Sequence, residues 1–261
     1  MHEIKPTFST KYNKHKNILG NIKPDTKIYR VISIERFFEL IENKNLVLVK
    51  PKLWDDPFEN FLSKTVMTDS YGEQGIFNIT NEFYGQCWTQ KKECDGIWRN
   101  YASLQSGVKI QTTVEKLLNV IYDDSNNFSM IHSFIGKVEY MSDKKIKDFL
   151  SHPNFLNWVT DTSGKNPAQT LLIKRAEFSY EREVRVLYST DTSLNKNTED
   201  IKKFVINPLE FIDSIVFAPK IDINLFNIYR DKLVDIGFDK KVVTKSDLYK
   251  PFQIKIKPNG I

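Results

Sequence analysis

The chain has 261 residues, 40% of them hydrophobic and 13% aromatic, so it can bury a substantial core in one large domain or two small ones. Its net charge of +5 comes from dispersed lysines, a distribution more typical of a solvated surface than of a nucleic-acid groove, although nucleic acid stays open as a partner. No apolar run is long enough to cross a bilayer and the N-terminus lacks a signal-peptide core, so we expect a cytoplasmic protein with no membrane partner.

Two common kinds of ligand site are disfavoured. Cys87 and Cys94 form no CxxC pair and lie near no histidine cluster, so we expect no structural metal site. The chain also contains neither GxGxxG nor GxxxxGK[ST], which disfavours a doubly wound nucleotide-binding fold.

The predicted elements begin after a polar, lysine-rich segment, residues 1–24, which we expect to be a flexible basic leader before a single domain over 25–261. In the first half of this domain, residue types and spacing predict strands at 27–32, 46–49, 85–89 and 107–111. They also predict helices capped by Ser33 and Thr113, a helix over 96–104 and a loop over 51–61.

The second half continues with a strand at 134–140, a helix at 144–150, an irregular segment over 151–167 and a helix from Pro167 through Lys174. Strands follow at 184–188, 203–206, 212–218 and 241–244, with a helix from its expected N-cap Asn224 to Ile236. Because strands and helices do not alternate regularly, we predict an α+β fold with a mixed, mostly antiparallel sheet and flanking helices.

The most informative motif is Glu181-Arg182-Glu183 at the start of the predicted strand. The two-residue period of a strand predicts that both glutamates lie on one face, with Arg182 pointing away. Repulsion between carboxylates in a partly dehydrated site raises at least one pKa, which suits general-base or charge-stabilising chemistry. Solvated cross-strand ion pairs at a strand end are the alternative.

Two further motifs could line a site. Trp98 and Tyr101 fall one helical turn apart and could stack on a flat ligand, although such aromatic pairs commonly seal a core. Asp56-Pro57-Phe58-Glu59 combines a turn-setting proline with two carboxylates, so it could form a structural corner or, through Asp56 and Glu59, a site wall.

Several short motifs follow one another along the chain. They are Tyr29-Arg30, Asp56-Pro57-Phe58-Glu59, Cys87-Trp88-Thr89, Trp98-Arg99-Asn100-Tyr101-Ala102, Gly107-Val108, Lys174 and Tyr180-Glu181-Arg182-Glu183-Val184-Arg185. Taken in order, these motifs resemble a bacterial family, domain of unknown function 2971, over about residues 27–218. One departure is Gln105, where many members of the family have histidine.

The order Arg30, Thr89 and Glu181-x-Glu183 also resembles the plan of mono-ADP-ribosyltransferases, whose fold is a split antiparallel sheet. This resemblance implies NAD as the substrate, with Arg30 on its phosphates or ribose and the Thr89 hydroxyl orienting the site. Glu183 would stabilise the positive charge that develops on the ribose as nicotinamide leaves. Glu181 would orient or deprotonate the acceptor, which in that family is arginine.

Within the same resemblance, Trp98 or Tyr101 would stack on nicotinamide or adenine, and Arg185 would join the site wall. The expected activity is transfer of ADP-ribose to a protein or nucleic-acid acceptor, or hydrolysis of NAD, without a metal and in a toxin or phage-defence role. Two alternatives stay open: a non-catalytic ligand-binding or interaction module, and a metal-dependent nuclease that uses Glu181, Glu183 and Asp56.

Overall fold

The structure, a computed structural model, describes residues 12–54, 66–68, 74–76, 79–190 and 199–251. The chain divides into two compact units, each assembled from three separate segments. The first unit comprises Met1–Lys27, Leu46–Gln90 and Thr113–Val205, and the second comprises Ile28–Asn45, Lys91–Thr112 and Ile206–Ile261.

Strands and helices are interspersed along the described residues. In chain order the strands are β1 (Ile18–Leu19), β2 (Lys27–Ser33), β3 (Asn45–Val49), β4 (Val66–Thr68), β5 (Gln74–Ile76), β6 (Phe83–Thr89), β7 (Gly107–Thr113), β8 (Ser133–Lys137), β9 (Glu139–Met141), β10 (Ile173–Arg175), β11 (Glu183–Ser189), β12 (Ile201–Val205), β13 (Ser214–Phe217) and β14 (Val243–Lys245). The α-helices are α1 (Ile34–Asn43), α2 (Asp95–Tyr101), α3 (Val114–Ile121), α4 (Ser129–His132), α5 (Asp143–Leu150), α6 (Phe155–Val159), α7 (Lys165–Thr170), α8 (Pro208–Phe211) and α9 (Ile223–Ile236). Short 3₁₀ helices lie at Lys14–Asn17, Pro51–Leu53, Ile79–Glu82, Ala176–Glu181 and Lys240–Val242.

The first unit is organised around β11. This strand pairs antiparallel with β6 on one side and with β8 on the other, and β8 pairs parallel with β1. Its residues from Glu183 to Leu187 are all buried, as expected for a strand covered on both faces. Two small sheets stand apart from this one, a parallel pair of β9 and β10 and an antiparallel pair of β4 and β5.

In the second unit, β2 lies beside β7, β7 pairs antiparallel with β13, and β13 pairs parallel with β14. The helix α1 begins where predicted, because the Ser33 hydroxyl accepts a hydrogen bond from the Arg36 amide at 3.3 Å. Its buried residues recur at the spacing of three and four that places one helical stripe on the core. These buried residues are Ile34, Phe37, Leu40 and Ile41.

The predicted α+β fold with a mixed, mostly antiparallel sheet is confirmed, while the split form of that sheet stays a prediction. Some boundaries were wrong. Lys174 lies on strand β10 instead of ending a helix, because α7 stops at Thr170. The segment predicted to be irregular contains α6, and the last long helix is capped by Asp222, whose side chain accepts from two backbone amides, and not by Asn224.

The division into a leader and one domain stays a prediction. Part of the predicted leader is described, and there Asn17 is buried and donates hydrogen bonds to the carbonyls of Met130 and Ser133 at 2.9 and 2.6 Å. Among the helices of the described residues, none has both the length and the apolar character needed to span a membrane.

Candidate functional site

The candidate site lies at the start of β11 and in the turn before it. The 3₁₀ helix Ala176–Glu181 ends at Arg182, which adopts a left-handed backbone conformation with φ 47° and ψ 52°. This conformation is uncommon for a residue other than glycine, and it is sustained here by surrounding contacts. The Gln90 amide donates to the Arg182 carbonyl at 3.0 Å. The turn therefore separates Glu181 from the strand.

The expectation that strand alternation places both glutamates on one face was wrong in its mechanism. β11 begins only at Glu183, and the left-handed Arg182 interrupts the two-residue period. The two carboxylates nevertheless meet, because both accept hydrogen bonds from the Nζ atom of Lys174. Arg182 is exposed, as predicted.

Glu183 is held on both oxygens and at its backbone. Its Oε1 accepts from Lys174 Nζ at 2.8 Å, and its Oε2 lies 2.9 Å from Nε and 2.7 Å from Nη2 of Arg185. Two nitrogens of one guanidinium thus converge on a single carboxylate oxygen, and both contacts join opposite charges. The Glu183 amide donates to the Tyr140 hydroxyl at 2.8 Å. The side chain is 3% exposed, so this ion pair is shielded from water.

Glu181 makes a similar but less complete set of contacts. Its Oε2 accepts from Lys174 Nζ at 2.5 Å, and its Oε1 lies 3.4 Å from the Tyr180 hydroxyl. The bonded oxygens of Glu181 and Glu183 are therefore separated by no more than the sum of their two distances to Lys174 Nζ. Glu181 is also buried, so two carboxylates and one ammonium share a dry space.

The two carboxylates are pushed in opposite directions. Burial, together with a hydrogen bond to Glu183, raises the pKa of Glu181 against the opposing effect of Lys174. Burial alone would also raise the pKa of Glu183, but Arg185, Glu181 and Lys174 together lower that pKa to about 2. One carboxylate is thus kept anionic while the other binds a proton more readily than an ordinary glutamate.

Arg185, predicted as a site wall, is an internal partner of the site. Its side chain is fully buried and donates from Nη1 to the Leu171 carbonyl at 2.7 Å. Its guanidinium also lies 4.7 Å from the centre of the Trp54 ring, within the range of a cation–π contact. The guanidinium contacts Glu183, the Leu171 carbonyl and the Trp54 ring inside the protein. Arg185 therefore fixes Glu183 and does not project towards solvent.

Thr89 supports the backbone of the same site. It is the residue of β6 directly opposite Glu183 in the antiparallel ladder. Its buried hydroxyl donates a short hydrogen bond to the Glu181 carbonyl. Thr89 therefore fixes the turn that carries Glu181, while the role of its hydroxyl in orienting a site for NAD stays a prediction.

Sequence reasoning assigned no role to Lys174 or Tyr140. They are register partners across β9 and β10, so their side chains reach Glu183 from neighbouring positions. Lys174 is 5% exposed and lies 4.6 Å from the centre of the Phe178 ring. The available signal was one lysine directly after the apolar run Leu171-Leu172-Ile173, since a lysine in a buried strand needs anionic partners.

The remaining predicted residues lie in the second unit or outside the described residues. Arg30 is half-buried on β2, and its convergence with Thr89 and Glu183 stays a prediction. Asp56 and Glu59 lie outside the described residues. Where the structure describes side chains, no group of three or more histidine, cysteine or acidic residues is arranged to hold a metal.

The predicted aromatic pair is divided between core and surface. Trp98 is fully buried, and its indole N–H donates to Glu93 at 2.8 Å, so its ring offers no face to a ligand and the core-sealing alternative accounts for it. Tyr101, at the end of α2, is 43% exposed, and its contact with NAD stays a prediction. Gln105 is also exposed.

Solved structures of DarT from Thermus sp. 2.9 are among those similar to this chain. One is DarT in complex with NAD+, with a TM-score of 0.38, 8% identity and coverage of 87% of this chain and 98% of that chain. The other is DarT in complex with ADP-ribosylated ssDNA, with a TM-score of 0.36, 7% identity and coverage of 84% and 96%.

Among curated proteins, none matches the chain. One family model does, and its match includes Lys174, Glu181, Glu183 and Arg185 but excludes Arg30 and Thr89. Residues 97–186 match the family described as a protein of unknown function, DUF2971, and over these residues the predicted resemblance is confirmed.

Proposed function

We propose that this chain cleaves the bond between nicotinamide and ribose in NAD and transfers ADP-ribose to a protein or nucleic-acid acceptor, or to water. The observation that carries the proposal is the pair Glu181 and Glu183, two buried carboxylates joined through Lys174 whose pKa values are shifted in opposite directions. Such a pair supports separate anionic and acid–base duties within one site.

Glu183 suits the anionic duty. Arg185 and Lys174 keep its carboxylate ionised despite burial, so it retains negative charge at neutral pH. Departure of nicotinamide leaves positive charge on the ribose, and a fixed carboxylate in a water-poor site stabilises that transition state. The chemistry requires only that the sugar reach this carboxylate.

Glu181 suits proton exchange with the acceptor. Its raised pKa brings it closer to neutral pH, where a carboxylate is a more effective base, and its Oε1 is on the side of the partly exposed Tyr180. An acceptor nucleophile would lose its proton to Glu181 as it attacks the ribose. Hydrolysis of NAD is the same step with water as the nucleophile.

The choice of NAD comes from the resemblance of Arg30, Thr89 and Glu181-x-Glu183 to the mono-ADP-ribosyltransferase plan. A guanidinium such as Arg30 binds a pyrophosphate through paired hydrogen bonds. Because Glu181 and Glu183 are almost fully buried, the proposal also requires the largely exposed 3₁₀ helix Ala176–Glu181 to move when substrate binds. A toxin or phage-defence role stays a prediction.

The test is release of nicotinamide from NAD by the purified protein, with water, cell proteins and nucleic acids offered as acceptors. We expect Glu183→Gln to lower the rate by about 100- to 1000-fold, the usual cost of losing one transition-state-stabilising group. The matched control is Glu93→Gln, since Glu93 is a partly buried carboxylate of the second unit that accepts from Trp98. It should keep the rate within about threefold. Absence of release by the wild type with every acceptor contradicts the proposal.

One observation favours a second candidate, the non-catalytic binding module. Both oxygens of Glu183 are bonded to buried cations, as in an ionic network that serves the fold. Calorimetric binding of NAD without release of nicotinamide would favour this candidate. The metal-dependent nuclease has no such observation in its favour, and Asp56, its third proposed carboxylate, lies outside the described residues.

A further inference from the structure

We propose that Lys174 and Tyr140 form a positioning pair that clamps Glu181 and Glu183 into one acid–base unit. This inference rests on the proposed function and adds two residues to its machinery, each acting through the carboxylates and not on the substrate. One observation carries it. Lys174 and Tyr140 are neighbours on the small sheet of β9 and β10, and both bond Glu183, Lys174 at its side chain and Tyr140 at its backbone amide.

Lys174 joins the two carboxylates. Its Nζ donates to Glu181 at 2.5 Å and to Glu183 at 2.8 Å, and Arg185 donates to Glu183 from the other side. Removing the Lys174 cation therefore changes the charge balance of both carboxylates.

The surroundings of Lys174 hold its side chain in place. It is buried on β10, and its Nζ lies 4.6 Å from the centre of the Phe178 ring. Parallel pairing of β9 with β10 sets Lys174 directly beside Tyr140. A long, flexible lysine side chain is thus confined by strand register, aromatic contact and two anions.

The Tyr140 hydroxyl accepts a hydrogen bond from the Glu183 amide at 2.8 Å. This bond fixes the first residue of β11 immediately after the left-handed Arg182. Burial raises the pKa of Tyr140, so the phenol stays neutral over the working range. The hydroxyl therefore positions the backbone without adding charge.

The groups joined by these contacts come from five elements of the first unit. They are Glu181 and Tyr180 on the 3₁₀ helix, Glu183 and Arg185 on β11, Lys174 on β10, Tyr140 on β9 and Thr89 on β6. Lys174 and Arg185 are the cations of this set. Loss of Lys174 therefore raises the pKa of both glutamates, with Arg185 still restraining that of Glu183.

The experiment compares Lys174→Met with the wild type by carbon-13 NMR titration of glutamate carboxyls, assigned with Glu181→Gln and Glu183→Gln. We expect both midpoints to rise by about 1–3 pH units. The acid limb of nicotinamide release should move upward with them, while KM for NAD changes by less than about threefold. The matched control is Lys109→Met, which removes a buried lysine of the second unit and should leave both midpoints in place.

Tyr140→Phe tests the other half of the pair. It should lower kcat by about tenfold, the effect of one lost hydrogen bond to the reacting group's backbone, and leave both midpoints unchanged. Tyr84→Phe is its control, because the buried Tyr84 hydroxyl also bonds a backbone group, the Glu199 carbonyl at 3.0 Å. Equal kcat losses in the two phenylalanine variants overturn the assignment of Tyr140.

Midpoints that stay in place in a folded Lys174→Met protein overturn the assignment of Lys174. If that variant does not fold, Lys174→Arg decides: wild-type midpoints support the proposal, and titration of either glutamate at an ordinary pKa overturns it. The titration needs no turnover. A wild type that releases no nicotinamide therefore sinks the proposed function, while the titration still tests the clamp.

Discussion

Each of the two compact units contains a buried lysine with an acidic partner, and the two arrangements differ. In the first unit, Lys174 donates to Glu181 and Glu183 at 2.5 and 2.8 Å. In the second unit, Lys109 lies 3.7 Å from Glu93, a distance that makes an ion pair without a short hydrogen bond. Both lysines are about equally buried, at 5% and 4% exposure.

The difference lies in what else the carboxylates do. Glu93 also accepts from the Trp98 indole and from the Ser246 hydroxyl, so it ties a core aromatic ring to a distant part of its unit. Glu181 and Glu183 instead compete for one cation. A buried lysine alone therefore indicates packing as readily as chemistry. The arrangement in the first unit differs because burial raises the pKa of Glu181 while Arg185, with Lys174, lowers that of Glu183, and such opposite shifts suit acid–base work.

The largest expected difference in stability comes from removing one cation from each cluster. The first cluster is Lys174, Arg185, Glu181 and Glu183, and the second is Lys109 with Glu93. Arg185→Met leaves Oε2 of Glu183 buried without its guanidinium partner, so we expect a loss of about 3–5 kcal/mol in the free energy of unfolding. Lys109→Met leaves the partly exposed Glu93 with two other donors, and about 1–2 kcal/mol should be lost. Urea unfolding of both variants measures the contrast. Equal losses would show that the clusters do not differ in stability.

The next effect is in the pH dependence of stability. The pKa of Glu183 is lowered to about 2 in the folded chain, so its stabilisation is complete above the pKa of an unfolded glutamate and is lost as pH falls from about 5 to about 2. We expect the free energy of unfolding to fall by about 2–3 kcal/mol over this window. The raised pKa of Glu181 acts in the opposite direction and makes the observed fall smaller. Unfolding free energies of wild type and Glu183→Gln between pH 2 and 7 should show a steeper acid limb in the wild type.

For the Lys109–Glu93 pair of the second unit we expect the opposite pH dependence, with stability changing at alkaline pH instead of acid pH. Burial lowers the pKa of Lys109, so the folded chain loses this proton more readily than the unfolded one, and stability should rise as pH approaches the ordinary lysine value. Lys109→Met should flatten that alkaline rise. An acid limb that changes in Lys109→Met but not in Glu183→Gln would reverse the comparison.

The smallest expected effect concerns Trp98. Trp98→Phe keeps an aromatic ring in the core but removes the N–H that donates to Glu93, so we expect a loss of about 0.5–1.5 kcal/mol in the free energy of unfolding. KM for NAD should not change, because the ring is fully buried. A rise in KM without loss of stability would restore the stacking role. Thermal unfolding and nicotinamide release measure the two quantities.

Much of the fold could be predicted because it depends on local patterns. The caps at Ser33 and Thr113 and the apolar spacing of α1 and α3 place those helices where the sequence does. Lys174 was misplaced because the apolar run before it suits a helix or a buried strand, and only its partner β9 decides between them. Local periodicity carries no information about such pairing.

The site was predictable in composition but not in geometry. Glu181 and Glu183 were found from their spacing, although they converge through a left-handed turn and a shared lysine instead of strand alternation. No local rule joins Lys174 to Glu183, because their contact depends on two sheets that meet only in the folded chain. Burial of Trp98 also depends on tertiary packing, which decides whether an aromatic residue seals a core or binds a ligand.

The left-handed turn at Arg182 also constrains chain length. Leu171, Lys174, Glu181, Glu183 and Arg185 contact one another within a separation of 14 residues. An insertion or deletion between Lys174 and Glu183 would shift one charged partner relative to the others, since β10 and β11 are each fixed by pairing. This short stretch should therefore keep its length, whereas surface loops elsewhere tolerate additions.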